Sequence, residues 1–159
     1  MMSRILVGYH SRSGNTQKMA ETVAAGARSV GIEVDLKPIA DLSAADLLQY
    51  DGLIFGSPTY YGTMAWEMKR LLDESVQYHG KLSGKVGGAF SSSANIGGGN
   101  ETTILAILKA FLIHGMIIQG TAHGDHYGPV AINAPDSRST PQCEALGKRV
   151  AELVKRLFP

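Results

Sequence analysis

The chain has 159 residues, of which 44% are hydrophobic and 18% are charged, and its formal net charge is +1. This length predicts one domain, residues 1–159, and the balanced charge argues against a strongly basic nucleic-acid binder and an acidic disordered chain. A single cysteine, Cys143, excludes an internal disulfide framework, and no apolar run approaches the roughly 18–20 residues of a membrane span. We therefore expect a cytoplasmic protein with no membrane partner and no nucleic-acid partner.

Apolar runs of strand length alternate with helical patterns along the chain. The predicted strands are, in chain order, 5–9, 32–39, 52–56, 86–90 and 116–119. Predicted helices cover 17–30, 43–50, 64–72, 101–114 and 142–158, and 120–140 is predicted to be rich in loops. Short apolar strands separated by helices are typical of a parallel sheet that is covered on both faces. The pattern therefore predicts an α/β fold with a doubly wound, five-stranded parallel sheet and helices on both faces.

The turn after the first predicted strand has the composition of a phosphate cradle. It consists of Ser11, Arg12, Ser13, Gly14, Asn15 and Thr16. Its hydroxyls, its amide and the free backbone N–H groups of the following helix favour an anion, and its glycine lets the backbone curl close to a ligand. The motif is neither a Walker loop nor a dinucleotide-binding G-x-G-x-x-G. Taken alone, this turn is explained equally well as an ordinary helix cap.

Two further turns of unusual composition follow the third and fourth predicted strands. Residues 57–63 read SPTYYGT, and two adjacent tyrosines can lay a ring against a flat ligand. Residues 91–100 read SSSANIGGGN, in which small hydroxyl residues and three glycines allow close approach of the backbone to a planar molecule. A tyrosine pair at the core edge and a flexible loop are the plain alternatives. Because ligands bind at the carboxyl ends of parallel strands, the coincidence of three such turns predicts one ligand site.

At these turns the sequence resembles the flavodoxin-like FMN-binding superfamily, and within it the WrbA-type NAD(P)H:quinone oxidoreductases. The matching segments are 9–16, 54–64, 90–104 and 114–116, so the resemblance covers essentially the whole chain. It implies a flavodoxin-like sheet with strand order 2-1-3-4-5 and non-covalently bound FMN. It also implies NAD(P)H as the electron donor, a quinone as the acceptor, and a homodimer or homotetramer.

The resemblance also implies a role for each motif residue. Residues 11–16 would hold the FMN phosphate. The isoalloxazine ring would be contacted by Pro58, Thr59, Tyr60, Tyr61 and Gly62, and its other side would be lined by Ser92, Ser93, Ala94, Asn95, Ile96 and Gly97. His114 matches a histidine of the family that reaches the flavin site, which makes it the catalytic candidate. Alternatively, it only terminates its helix, where the dipole favours it.

The chain departs from this family at two positions. The family usually carries extra residues before the fourth strand, including a tryptophan that lines the substrate pocket. Here 72–85 is compact and the only tryptophan is Trp66. An aromatic residue that the family often has in the first turn, and that is associated with nicotinamide binding, is replaced by Ser13.

Three functional classes fit the predicted fold. We expect a two-electron FMN-dependent oxidoreductase, with a flavodoxin-type one-electron carrier as the main alternative. Such carriers are commonly acidic, because they dock on basic partners, and a net charge of +1 argues against one. A cofactor-free signalling domain of the receiver type would need clustered acidic residues in 9–16, which contains none.

Two other features of the sequence bear on partners and metals. Between Ile104 and Ile113 only Lys109 is charged, which predicts a second buried helix face and hence a homo-oligomer. His123 and His126 lie in a loop that contains glycine and proline. Two such histidines do not make a full ligand set, so no metal site is expected.

Overall fold

Strands and helices alternate along the chain in the order that the hydrophobic pattern predicts. The computed structural model describes residues 2–159. The strands are β1 (Arg4–Tyr9), β2 (Glu33–Pro38), β3 (Gly52–Tyr60), β4 (Thr63–Met64), β5 (Val86–Ser93), β6 (Ile117–Ile118) and β7 (Val130–Ile132). The α-helices are α1 (Asn15–Arg28), α2 (Trp66–Glu74), α3 (Asn100–Ile113) and α4 (Ser139–Leu157). Short 3-10 helices cover Ile39–Asp41, Ala44–Gln49 and Ser75–Tyr78.

The main sheet is parallel and runs in the order β2-β1-β3-β5-β6. This is the predicted order 2-1-3-4-5, because β4 is a short antiparallel addition to β3 and occupies no place in the main path. Pairing on both sides leaves the middle of β1 inaccessible, and Ile5, Leu6 and Val7 have no exposed surface. The reversal of strand order beside β1 is the switch point at which ligands bind in such sheets.

The fifth position of the sheet is divided between two short strands. β6 pairs with the start of β5, where Ile117 lies opposite Val86, and β7 pairs with its end, where Val130 lies opposite Ser91. Residues 119–129 leave the sheet between them. The sequence predicts β6 but not β7, because β7 is three residues long and lies in a stretch rich in glycine and proline. β7 matters for the site because it extends the sheet beside the carboxyl end of β5.

Helices cover both faces of the sheet, as predicted. Side chains alternate along β1, so Ile5 and Val7 belong to one core cluster and Leu6 to the other. Helices α1 and α4 cover the first cluster, while α2 and α3 cover the second. The first pair packs closely: a methyl group on Gly147 would lie 2.0 Å from the carbonyl oxygen of Val23. The two layers fix the sheet edge that carries the three turns.

Candidate functional site

The first turn gives α1 an N-terminus at which backbone N–H groups remain free of acceptors from the described residues. Gly14 takes the N-cap position with a φ of 94°, a conformation that glycine adopts without steric cost. The hydroxyl of Ser11 accepts hydrogen bonds from the N–H groups of Gly14 (3.1 Å) and Gln17 (3.3 Å). Within residues 2–159, the N–H groups of Asn15 and Thr16 have no acceptor. Free N–H groups at the positive end of a helix dipole suit a phosphate.

The second turn is part of a β-hairpin. β3 continues to Tyr60 and returns as β4 through the two-residue turn Tyr61–Gly62, whose φ values are 47° and 83°. Positive φ at both positions is the type I′ geometry that fits the twist of a hairpin. It leaves the Tyr61 ring fully exposed at the rim of the site. The hydroxyl of Ser57 accepts a bond from Ala65 N (2.9 Å) and so ties the hairpin to the start of α2.

A network of hydroxyl groups joins the three turns to one another. The Thr16 and Ser92 hydroxyls lie 2.8 Å apart and link the first turn to the end of β5. The Thr59 hydroxyl lies 3.1 Å from that of Ser91 and 2.9 Å from that of Thr103. Because Ser91, Ser92 and Thr103 are buried, each bond replaces one that water would otherwise make. The cradle is therefore held in shape before any ligand arrives.

The glycine-rich turn packs directly on the hairpin. Gly99 has a φ of 109°, and a methyl group there would lie 2.7 Å from the Cα of Gly62. The hydroxyl of Thr102 donates to the Gly62 carbonyl at 2.7 Å, which holds α3 against the hairpin turn. This close approach explains why glycine is needed at the last of the three positions.

The three turns surround a cavity of about 310 Å³ at the carboxyl edge of the sheet, which we call the cradle. It is lined by Arg12, Ser13, Asn15, Thr16, Pro58, Thr59, Tyr60, Ser92, Ser93, Ala94 and Asn133. All of these except Asn133 are predicted from the sequence. The other predicted residues of the same turns lie outside the lining: Ser11, Gly14, Tyr61, Gly62, Asn95, Ile96 and Gly97.

Sequence reasoning missed Asn133. It directly follows β7, its φ is 60°, and its N–H donates to the carbonyl oxygen of Ser93 at 2.8 Å. Asparagine is one of the few residues other than glycine that tolerate this left-handed conformation. The apolar triplet Val130–Ile132 followed by a polar residue was the available signal, because it resembles the end of one more parallel strand.

A second depression adjoins the cradle and shares Arg12 and Tyr60 with it. Its volume is about 550 Å³, and its lining is His10, Ser11, Arg12, Tyr60, Trp66 and Glu67. We call it the Trp66 depression. The His10 ring stands edge-on to Tyr60, and its Nε2 lies 3.6 Å from a carboxylate oxygen of Glu67.

His114 does not lie with the cradle of its own chain. It follows the last residue of α3, and the neighbouring Gly115 accepts a hydrogen bond from Gly84, just before the start of β5. The cradle lies at the other end of α3, which at 1.5 Å per residue is roughly 20 Å away. The helix points down the sheet, so a residue at its C-terminus cannot reach a flavin at its N-terminus. A contact with flavin would require the cradle of a second copy.

His114 instead forms part of a groove between α2 and α3. Its Nε2 lies 2.7 Å from the hydroxyl of Ser75, which in turn donates to the carbonyl of Leu72 at 2.6 Å. Burial, with a contribution from nearby His79, lowers the pKa of His114. The groove has a volume of about 550 Å³, and apolar Val76 and Ile113 contribute to its walls.

Other candidate chemistries find little support among the described residues. Burial raises the pKa of the Cys143 thiol to about 12, so the thiolate is scarce near neutral pH. Residues 2–159 contain no group of three or more His, Cys, Asp or Glu side chains that could hold a metal ion. In the same part of the chain, none of the helices is long and apolar enough to cross a membrane.

The cradle has the donors and surfaces that FMN needs. The free N–H groups of α1 and the surrounding hydroxyls suit a phosphate monoester, and Arg12 can neutralise part of its charge. Tyr61 and Ile96 are almost entirely exposed, one on the hairpin and the other on the glycine-rich turn. Large apolar side chains exposed beside a polar cavity are typical of a surface that a flat ligand covers.

Comparisons with known proteins agree with this geometry. The family model described as Flavodoxin matches residues 7–127. A flavodoxin of Aquifex aeolicus is 43% identical over 162 residues, covering 96% of this chain and 88% of the relative. An NAD(P)H dehydrogenase (quinone) of Archaeoglobus fulgidus is 35% identical over 190 residues, covering 98% of this chain and all of the relative. The structure of a WrbA-like flavodoxin from Agrobacterium tumefaciens superposes with a TM-score of 0.81 at 30% identity, covering 97% and 98% of the two chains. The chain therefore belongs to the flavodoxin family.

Proposed function

We propose that the chain is an FMN-dependent oxidoreductase that transfers two electrons from NAD(P)H to quinones or similar small acceptors. Residues 11–16 would bind the FMN phosphate, and the hairpin and the glycine-rich turn would hold the two sides of the ring. The bound flavin supplies the ability to accept a hydride and pass its electrons on, while the protein positions it and excludes competing reactions. Residues 58–62 and 92–97 have this positioning role.

The main support for an enzymatic function is the Trp66 depression. It gives a small substrate about 550 Å³ of space directly beside the cradle. This volume lies within the range of small-molecule sites, roughly 300–1,000 Å³. The net charge of +1 and the exposed Arg12 at the shared wall suit an anionic donor better than a basic protein partner. The quinone dehydrogenase relative, which matches almost the whole chain, supports the same proposal.

A one-electron carrier is the second candidate, and two observations favour it. The relative named flavodoxin has the higher identity and aligns over 162 residues, whereas the quinone dehydrogenase needs 190. The chain is also compact between Leu72 and Lys85, where the resemblance implies that the reductases carry additional pocket residues. A protein without that pocket could pass single electrons to a docked partner.

Steady-state turnover distinguishes the two functions. The FMN-loaded protein is mixed with NADH or NADPH and benzoquinone, with apoprotein as the control. We expect quinone-dependent oxidation of the nicotinamide nucleotide and uptake of two electrons together in a reductive titration followed by absorbance. No turnover, with uptake of electrons in two separate steps, would support the carrier instead.

We also propose that the chain works as a homodimer or homotetramer that uses the groove between α2 and α3. Leu112, Ile113 and Val76 lie beside this groove and are largely exposed, and a partner would bury them. In such an assembly His114 can face the cradle of a second copy, which preserves its proposed catalytic role. Sedimentation at micromolar concentration should show an oligomer, and His114→Ala should slow quinone turnover at saturating FMN. A monomer with an unchanged rate in the variant would refute both parts.

A further inference from the structure

We infer that the Trp66 depression binds the adenosine phosphate half of the nicotinamide nucleotide donor. This inference rests on the proposed function, since it names where the donor of that reaction is held. The depression shares Arg12 and Tyr60 with the cradle, so a ligand in it can extend across this wall to a molecule bound next door. A dinucleotide, with a base at each end of a long phosphate linkage, has the shape for such a site.

Trp66 provides the surface for the base. Its side chain is 66% exposed, although a ring of this size normally buries most of its surface. The backbone that carries it is fixed, because Trp66 begins α2 and the preceding N–H, that of Ala65, donates to the buried hydroxyl of Ser57. An exposed indole on a fixed backbone is suited to stacking with a purine.

Arg12 provides the positive charge for the phosphate. The side chain is exposed, and within residues 2–159 it makes no ion pair and no side-chain hydrogen bond. A guanidinium has five N–H donors, so Arg12, which lines both cavities, can contact the FMN phosphate on one side and the phosphate linkage of the donor on the other.

Glu67 distinguishes a nucleotide from a quinone. One carboxylate oxygen of Glu67 is buried without a hydrogen-bond partner in residues 2–159, 3.6 Å from the Nε2 of His10, while the side chain as a whole is 34% exposed and lines the depression. Solvent does not reach that oxygen, so a ligand in the depression meets the other carboxylate oxygen, which as an acceptor suits a ligand that donates an O–H or N–H group. Ribose hydroxyls and the adenine amine are such donors, whereas a quinone has only acceptor oxygens.

The sole tryptophan makes the site directly measurable. Because the chain has one tryptophan, emission from Trp66 reports on this depression alone. FMN-loaded protein is titrated with ADP, which has the adenosine phosphate half but no nicotinamide and cannot reduce the flavin. We expect saturable quenching of the emission, and in steady-state assays ADP should compete with NADH.

Variants test each contact against a matched control. Trp66→Ala and Glu67→Gln should each weaken ADP binding, measured by calorimetry, about 10-fold, and raise KM for NADH with kcat unchanged. Trp66→Phe should retain most of the affinity. Glu74→Gln alters a carboxylate in the same helix that pairs with Arg70 outside the depression, so it should bind ADP normally. Equal FMN content in all variants shows that each is folded.

The outcomes separate this inference from the proposed function. If NADH reduces the bound flavin but ADP leaves the Trp66 emission and the KM for NADH unchanged, the inference is overturned and the proposed function stands. If ADP binds in a Trp66-dependent manner but neither nicotinamide nucleotide is oxidised, the adenosine site stands and the proposed reaction fails. Equal ADP affinity in Trp66→Ala and the unaltered protein would also overturn the inference.

Discussion

The two ends of α3 use polar groups in opposite ways. At the N-terminal end, Gly99 and Thr102 bring the helix against the hairpin, and hydroxyls and backbone groups remain open toward the cradle. At the C-terminal end, His114 is buried and its Nε2 is paired with the hydroxyl of Ser75. The first arrangement leaves polar groups open to a ligand, while the second pairs the histidine with a hydroxyl of the same chain. Position along a helix that crosses the sheet therefore decides which polar residue can reach the cofactor.

The largest loss of stability and of FMN affinity is expected for Gly99→Ala, which alters the N-terminal end of α3. The new methyl group would lie 2.7 Å from the Cα of Gly62 at a backbone φ of 109°. Strain and overpacking together should lower the free energy of unfolding by about 3 kcal/mol and weaken FMN binding about 100-fold. Urea unfolding and titration with FMN measure the two quantities.

Gly97→Ala is the control for this change. Gly97 also has a positive φ, 71°, but a methyl group there meets nothing within 4 Å. We expect only the backbone cost, about 1 kcal/mol. Equal losses in the two variants would show that contact between the glycine-rich turn and the hairpin does not shape the cradle.

The next largest loss of stability and FMN affinity is expected for Thr16→Val, which removes the hydrogen bond between the first turn and β5. It leaves the buried hydroxyl of Ser92 without its 2.8 Å partner. An unsatisfied buried group of this kind costs about 1–3 kcal/mol, and FMN affinity should fall roughly 10-fold or more because the phosphate turn loses its anchor. Calorimetric titration with FMN gives the affinity.

Thr22→Val provides the comparison in the same helix. The hydroxyl of Thr22 bonds only to the carbonyl of Lys18, one turn earlier in α1, and does not touch the cradle. FMN affinity should be unchanged. If Thr22→Val weakened FMN binding as much as Thr16→Val, the hydroxyl network could not be credited with holding the cradle.

The sheet and most of the cradle could be predicted from the sequence because both depend on local patterns. A buried parallel strand is a short apolar run, and β1, β3 and β5 are such runs. The turns that follow them carry residues whose chemistry is independent of the rest of the chain. Topology then brings their carboxyl ends to one edge.

What the sequence could not reveal depends on non-local geometry. β7 has only three residues, and its pairing with Ser91–Ser93 becomes visible only once β5 is in place. Asn133 was missed for the same reason. The family match that singled out His114 gives no distance, and the length of α3 places this residue roughly 20 Å from the cradle of its own chain. The Trp66 depression is formed by side chains from the first turn, β3 and α2, and no single segment predicts it.

A smaller effect is expected at Asn133, where backbone strain and ligand contact can be separated. Asn133→Ala should lower the free energy of unfolding by about 1 kcal/mol, because alanine tolerates the φ of 60° less well than asparagine. Asn133→Gly should leave stability within about 0.5 kcal/mol, since the relief of strain offsets the greater freedom of the unfolded chain. Both variants should weaken FMN binding a few-fold, because each removes the amide that lines the cradle. A loss of FMN affinity in the alanine variant alone would assign the whole effect to the backbone.

The smallest expected effect is on how the free energy of unfolding depends on pH, and it arises from His114 at the C-terminal end of α3. Burial and His79 lower the pKa of His114 in the folded chain, so the unfolded chain binds more protons between the folded pKa and the unfolded value of about 6.5. The stabilisation is therefore fully present above about pH 6.5 and is lost as pH falls toward the lowered pKa. His114→Gln, which keeps a hydrogen-bonding group for Ser75, should flatten this part of the stability curve. His123→Gln, in the exposed loop, should not change its slope. If urea midpoints from pH 5 to 8 had the same slope in His114→Gln and the unaltered chain, His114 would not be the buried neutral group that distinguishes this end of the helix from the cradle.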